Sequence, residues 1–272
     1  MERIIIMADK YVLFGNPVAH SMSPALHAFF AKETNQDLEY GRVLVEDGCF
    51  NQCADKFFKN GGLGCNITVP CKLDAFSYAD NLTEYAKAAG AVNTLKKMPD
   101  GSILGDNTDG RGLVYDLNRL GCPLKDAHVL IIGAGGAAKG ILKPIIESGI
   151  KKITIVNRTV SKALDLAVFY PGIVDGTSYE NLTGSYDVII NATSLSLKNE
   201  LPNIADSILS KASFVYDLMY RPDGHTCFTD IVSSLGVKAY DGFGMLVGQA
   251  ILSFELWRNV KPNFDTAIKK FR

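Results

Sequence analysis

A chain of 272 residues with 47% hydrophobic side chains is globular and long enough for one large or two ordinary domains. A formal net charge of −1 leaves no electrostatic footprint for nucleic acid or an anionic membrane, and no apolar run approaches the ~20 residues that cross a bilayer. The opening Met-Glu-Arg-Ile-Ile-Ile-Met is too short and too early charged for a secretory signal, so a cytoplasmic location is expected.

Taken in chain order, short β-rich runs alternate with amphipathic helices. The first part predicts strands at 11–14, 40–45 and 65–69 and helices at 24–32 and 50–60. A hairpin follows, from the runs 92–96 and 102–105 around Met-Pro-Asp-Gly. A helix at 108–120 then leads to a second series: strand 128–132, a helix to about 148, strand 152–156, helix 160–169, and strands 186–190 and 214–217. A strongly apolar helix at 245–257 closes the pattern. Pro144 inside the predicted helix is expected to kink or shorten it. Helical connections argue for parallel sheets, two of them, and hence for two α/β domains. Six cysteines (Cys49, Cys53, Cys65, Cys71, Cys122, Cys227) form no C-x-x-C pair, and with four histidines in the chain no metal site is expected. Reduced, mostly buried thiols are the preferred reading, with Cys71, beside Lys72, the candidate for an accessible one.

The strand at 128–132 runs into Gly133-Ala134-Gly135-Gly136-Ala137-Ala138, which fits G-x-G-x-x-G/A. Gly133 permits the tight turn, Gly135 lets backbone approach a pyrophosphate, and Ala138 keeps the helix close to the sheet. A tight strand–helix turn needs glycine anyway, but the strand–turn–helix–strand setting favours a dinucleotide. At the tip of the next strand an NAD site usually carries an acid for the ribose 2′-hydroxyl. Here the chain has Asn157-Arg158-Thr159, with Lys162 one turn on. Arg158 can pair bidentately with a 2′-phosphate and Lys162 can support it as a point charge, which favours NADP over the reading of two solvated cations.

In the first half, Ser23 followed by Pro24 is a good helix start, which accounts for Ser23 but not for Ser21. Two hydroxyls at the positive end of a helix would make a modest carboxylate site. Asn66, Thr68, Lys72, Asn93 and Asp109 all fall at predicted strand ends or in the loops that follow, where open α/β sheets bind ligands. Each has a plainer reading: Asn107 or Asp109 as a helix cap, Asn93 as a turn residue, Lys72 as a solvated charge.

With GNPVAHSMSP, NITVPCK, AGAVNTL, GDNTDG, GAGGAA, NRT and DGFGMLVGQA in one order, the chain resembles the shikimate dehydrogenases, the bacterial biosynthetic NADP-dependent form most closely. The resemblance implies an N-terminal substrate domain with a mainly parallel sheet, residues 1–108 plus 243–272. It also implies a Rossmann-like NADP-binding domain, residues 109–242, with the C-terminal helix returning to the first. Reversible, NADPH-dependent reduction of 3-dehydroshikimate to shikimate is the implied activity, in a monomer or homodimer whose partner is a small-molecule substrate. By position, Ser21 and Ser23 would bind the substrate carboxylate. Thr68, Asn93, Asp109, Tyr220 and Gln249 would hold the ring hydroxyls and carboxylate, and Lys72 would do acid–base work with Asp109. Cofactor contacts would map to Gly133, Ala134, Gly135, Gly136 and Ala137, and to Asn157, Arg158, Thr159 and Lys162. Leu218, Gly242 and Glu84 would complete them. The chain departs from the family pattern at Cys71, usually aromatic, at Lys162, frequently arginine, and at Met22, often lysine. Three other readings stay open: a quinate/shikimate dehydrogenase using NAD, a catalytically silent NADP-binding regulator, and a Rossmann dehydrogenase acting on an unrelated small acid.

Overall fold

The structure, a computed structural model, describes residues 8–272; the opening segment 1–7, read above as no secretory signal, lies outside the described residues. The chain divides into two compact units, one running up to Thr108 and resuming at Gln249–Phe271, the other Asp109–Gly248 with Arg272. The return to the first unit comes at Gln249, inside a helix.

The first unit contains β1 (Asp9–Gly15), α1 (Ser23–Glu33), β2 (Leu38–Leu44), α2 (Phe50–Lys59), β3 (Gly62–Ile67) and α3 (Lys72–Tyr78). After these come β4 (Asn81–Leu82), α4 (Glu84–Ala89), β5 (Thr94–Lys97) and β6 (Ile103–Asp106). Their sheet has the order β2-β1-β3-β5-β6-β4, parallel except that β5 runs antiparallel to both β3 and β6. The core forms where α2 lays Phe50, Ala54 and Phe58, spaced one helical turn apart, against Phe14 and Cys65 of the strands.

Two local expectations are corrected here. β3 stops at Ile67 because the chain turns: Thr68 N–H donates to the Phe14 carbonyl (2.9 Å), Cys71 N–H donates to the Thr68 carbonyl (3.0 Å), and Pro70 has no N–H to give a ladder. Lys72 consequently opens a helix instead of closing a strand. Cys71 is not the accessible thiol; it is 2% exposed, packed in the core, and burial pushes its thiol pKa up.

The second unit begins with α5 (Asp109–Arg119) and continues through β7 (His128–Ile132), α6 (Gly136–Glu147), β8 (Lys152–Val156), α7 (Val160–Ala167) and β9 (Val174–Thr177). Then come β10 (Val188–Asn191), α8 (Asp206–Leu209), β11 (Phe214–Asp217), α9 (Cys227–Ser234) and β12 (Ala239–Tyr240). α10 (Phe243–Arg258) starts in this unit and ends in the first, followed by α11 (Phe264–Phe271). The sheet is wholly parallel in the order β12-β11-β10-β7-β8-β9, the doubly wound arrangement whose strand order reverses between β7 and β10. Its central strands are apolar on both faces, as a sheet covered by helices on both sides requires.

Pro144 does not shorten α6, which runs on to Glu147. A proline offers no N–H to the carbonyl four residues back, here Gly140. Gly110 of α5 packs against that carbonyl oxygen and the Pro144 ring so closely that a Cβ on residue 110 would overlap the oxygen. The glycine and the proline form one contact between two helices.

His27 is wholly buried on α1, stacked face to face on Tyr40 (centroids 4.2 Å apart, 4° between planes) and surrounded by Phe30, Phe254 and Trp257. Neither ring nitrogen has a hydrogen-bond partner among the described residues, and burial lowers its pKa from 6.5 to about 3. The fold thus keeps the ring neutral where the unfolded chain would protonate it.

Two measurements test this packing. Gly110→Ala should cost about 1–3 kcal/mol in denaturant unfolding through overpacking, whereas Gly41→Ala, on the edge strand β2 with only ordinary contact to Val12, should be neutral or slightly stabilising. For His27, more protons are bound by the unfolded state between pH 6.5 and about 3, so stability falls as pH drops through that window. The loss is roughly 1 kcal/mol per pH unit. His27→Phe should remove one proton's worth of that slope below pH 6.5; identical acid limbs in the two proteins would refute the neutral buried ring.

Candidate active site

In a parallel sheet the carboxyl ends of the strands share one edge, and the loops leaving that edge meet. β1 and β3 deliver Gly15 and Ile67 there. Antiparallel β5 brings its amino end to the same edge, so Asn93, which precedes β5, lies beside the residues that follow β3. The Ile67 N–H donates to the Asn93 carbonyl at 2.8 Å, and Asn16 N–H donates to the Val69 carbonyl at 3.0 Å, tying the loops together. Thr68 packs its methyl on Gly15 so tightly that a Cβ there would overlap it. Lys72 follows at the first residue of α3, half-buried. A cation at the positive end of a helix gains nothing from the dipole, so helix stability does not account for a lysine at this position.

α1 begins one residue earlier than expected. Ser23 is its first residue, Met22 is the cap position, and no side chain caps the helix from there. Instead Ser21 Oγ accepts from Ser23 N–H (3.2 Å) and donates to Ser23 Oγ (3.2 Å), so both hydroxyls lie together at the helix start. The Ser21 carbonyl accepts from Arg42 at 2.7 Å.

Behind this edge lies a buried polar network. Asn66 and Asn93 are 4% and 2% exposed. Asn93 Oδ1 accepts from Thr108 N–H (2.9 Å) and from Thr94 Oγ1 (2.9 Å), while its Nδ2 donates to Thr108 Oγ1 (2.9 Å). Asn93 is therefore held by side-chain bonds on both amide atoms and is not a plain turn residue. Asn107 donates to the Ala91 carbonyl at 3.0 Å. Gln249 lies on α10, and its carbonyl accepts from Ser253 one turn later.

In the second unit, the turn after β7 opens a cavity of about 570 Å³ at the point where the strand order reverses. Gly133 holds φ +101° there, a left-handed conformation that favours glycine, and packs against Thr193. Gly135 is the cap position of α6, so the N-terminal N–H groups of the helix are available to an anion. Gly133, Ala134, Gly135, Asn157 and Arg158 all line the cavity. Asn157 also works on the loop itself: its Oδ1 accepts from Ala134 N–H (3.2 Å) and its Nδ2 donates to the Thr159 carbonyl (2.8 Å). Thr159 is the cap position of α7, and Lys162 is exposed on that helix; neither lines the cavity. Gly136 and Ala137 form the first turn of α6 behind the rim. Asp109 opens α5.

Leu218 and Gly242 meet directly, since a Cβ on residue 242 would overlap the Leu218 carbonyl. Tyr220 sits edge-on to Phe243 at 6.1 Å, its phenol pKa raised by burial. Glu84 opens α4 in the first unit, exposed, with its carboxylate on Lys87 at 3.0 Å.

Two further groups carry no clear mark in the sequence. Tyr179 and Glu180, just after β9, also line the cavity. Asp217, fully buried, accepts from Ser196 Oγ (2.6 Å), Thr226 Oγ1 (2.7 Å), Asn191 Nδ2 (3.1 Å) and Met219 N–H (3.1 Å). Burial raises its carboxyl pKa and the hydroxyl bonds oppose that. It thereby gathers the ends of β10 and β11 and the start of α9 around Leu218. An acid closing an apolar strand is the one signal that could have pointed to it.

Three family models match the chain: shikimate dehydrogenase substrate binding domain over residues 13–95, shikimate / quinate 5-dehydrogenase over 117–213, and shikimate 5'-dehydrogenase C-terminal domain over 242–270. A shikimate dehydrogenase (NADP(+)) of Vibrio cholerae is 50% identical over 97% of this chain and 96% of its own length. The crystal structure of an Ael1 enzyme from Pseudomonas putida superposes with a TM-score of 0.92 at 39% identity, covering 97% of this chain and 98% of that one. The shikimate 5-dehydrogenase of Thermus thermophilus, in complex with NADP(H) and shikimate, does so at 0.85 and 28% identity, over 97% of this chain and all of the other. The chain belongs to the shikimate dehydrogenase family.

Proposed function

We infer that the protein catalyses the reversible, NADPH-dependent reduction of 3-dehydroshikimate to shikimate, an oxidoreductase acting on a CH–OH group. The observation that carries the cofactor choice is Arg158 in the wall of the cavity formed by the glycine turn, with no acid at the tip of β8. A permanently charged planar guanidinium suits a 2′-phosphate, and a 2′-hydroxyl would leave it unpaired. The cavity volume, the left-handed Gly133 and the exposed start of α6 fit a dinucleotide there. Lys162 is assigned a supporting charge, and Thr159, Leu218, Gly242 and Glu84 complete the proposed cofactor contacts.

The cofactor supplies a hydride to the ketone carbon. Negative charge then gathers on the substrate oxygen and must be neutralised. That role falls to Lys72, whose ammonium stabilises the charge and gives up a proton, with Asp109 as its assigned partner in acid–base work. In the reverse direction the amine takes the proton back. The paired hydroxyls of Ser21 and Ser23 at the start of α1 suit a carboxylate, and Thr68, Asn93, Tyr220 and Gln249 are assigned to the ring substituents. The location expected from the sequence is the cytoplasm, and no helix among the described residues is long and apolar enough to cross a membrane.

NADPH oxidation measured with 3-dehydroshikimate and with 3-dehydroquinate tests the substrate directly. Lys72→Ala should keep NADPH affinity and lose about 10²–10⁴-fold in turnover; undiminished turnover would remove Lys72 from the mechanism. Arg158→Ala should weaken NADPH at least about tenfold more than NADH, the value of one charge-assisted bond. Equal losses for the two cofactors would end the argument for 2′-phosphate selection.

A further inference from the structure

We propose that Tyr40 and Ser253 are positioning residues for the substrate pocket of the first unit, acting together to fix which way the Asn66 carboxamide faces. The substrate assignment above is the premise for their effect on KM, not for the clamp itself.

A carboxamide has an acceptor end and a donor end of nearly the same shape, and a buried one can be used only if its surroundings decide between them. Around Asn66 they do. The Tyr40 hydroxyl donates to Asn66 Oδ1 at 2.8 Å. On the opposite side Nδ2 faces three acceptors: the Asn93 carbonyl (3.2 Å), Thr94 Oγ1 (3.1 Å) and Ser253 Oγ (2.9 Å). Turned over, the amide would set its oxygen against the Asn93 carbonyl and against hydroxyls whose hydrogens are committed elsewhere, Thr94 to Asn93 Oδ1 and Ser253 to the Gln249 carbonyl, and the phenol would lose the acceptor it donates to.

Each clamp is itself held. Tyr40 lies flat on His27, and burial keeps the phenol protonated, so it remains a donor at every working pH. Ser253 is wholly buried on α10, within 2.8 Å of Thr94 Oγ1 and 3.3 Å of Thr108 Oγ1, and reaches the Gln249 carbonyl at 3.0 Å. Thr94 and Thr108 are the residues that grip Asn93. Two hydroxyls from β2 and α10 thus set one amide directly, and Asn93, assigned to the substrate, through it. A purely apolar core would have closed this space with less risk, because any member of such a network left unpaired and cut off from water destabilises the fold.

Tyr40→Phe and Ser253→Ala each remove one hydroxyl and leave the packing in place, so both variants are expected to fold. Steady-state kinetics with 3-dehydroshikimate and NADPH should show KM for the ketone raised about fivefold in each, the value of one hydrogen bond, with kcat and KM for NADPH within about twofold of wild type. The double variant should lose less than the product of the two, since both act on one group. Ser253→Cys should recover part of the loss. Independently of any substrate, ¹⁵N-edited spectra of the free protein should show the Asn66 side-chain amide slowly exchanging in wild type and fast in Tyr40→Phe. An unmoved Asn66 amide, or equal KM increases for both substrates, would overturn the proposal. No turnover of 3-dehydroshikimate by wild type would instead overturn the substrate assignment, with the amide spectra still deciding the clamp.

Discussion

The arrangement of the first unit depends on one reversal of strand direction. Five of its strands, β1, β2, β3, β4 and β6, run alike, and their carboxyl ends must share an edge. Inserting β5 the other way puts a residue that precedes a strand among residues that follow strands. Asn93 arrives next to Asn66 and Thr68 by that route, and the hydroxyls of Thr94 and Thr108 come with it. An all-parallel sheet would have sent Asn93 to the far edge.

The second unit solves a different problem with the same geometry. There the sheet is parallel throughout, and the loops part where the strand order changes direction, leaving a cleft that side chains do not fill. Glycine at 133 and 135, and the Asn157 side chain spanning the turn, keep its floor in shape. Asp217 keeps its far wall in place with four donors. The shape of the cleft and its choice of phosphate are therefore assigned to different residues.

Much of both units can be read from the chain because the strongest signals are local. Apolar runs between turn residues give the strands at 128–132, 152–156 and 214–217 within a residue. The glycine turn, with a strand before it and a helix after, announces the cleft. What stays hidden has physical causes too. β4 and β12 are two residues each and carry no period, and α3 and α4 are too short to show a face. The expected start of α1 falls one residue late because a serine before a proline satisfies the rule for a cap, while Ser21, two residues away, holds the hydrogen bond. Tyr40 and Ser253 are invisible for a third reason: each matters through partners brought from distant segments, which no window of sequence contains.

The notch between α5 and α6 has an evolutionary corollary. Pro144 frees the Gly140 carbonyl, and only a residue without a side chain at position 110 can come up against it. A descendant with an ordinary amide at 144 would draw that oxygen into the helical ladder, and one that put bulk at 110 would push the helices apart. Neither step is comfortable alone. The two positions should be inherited as a couple, drifting together or not at all.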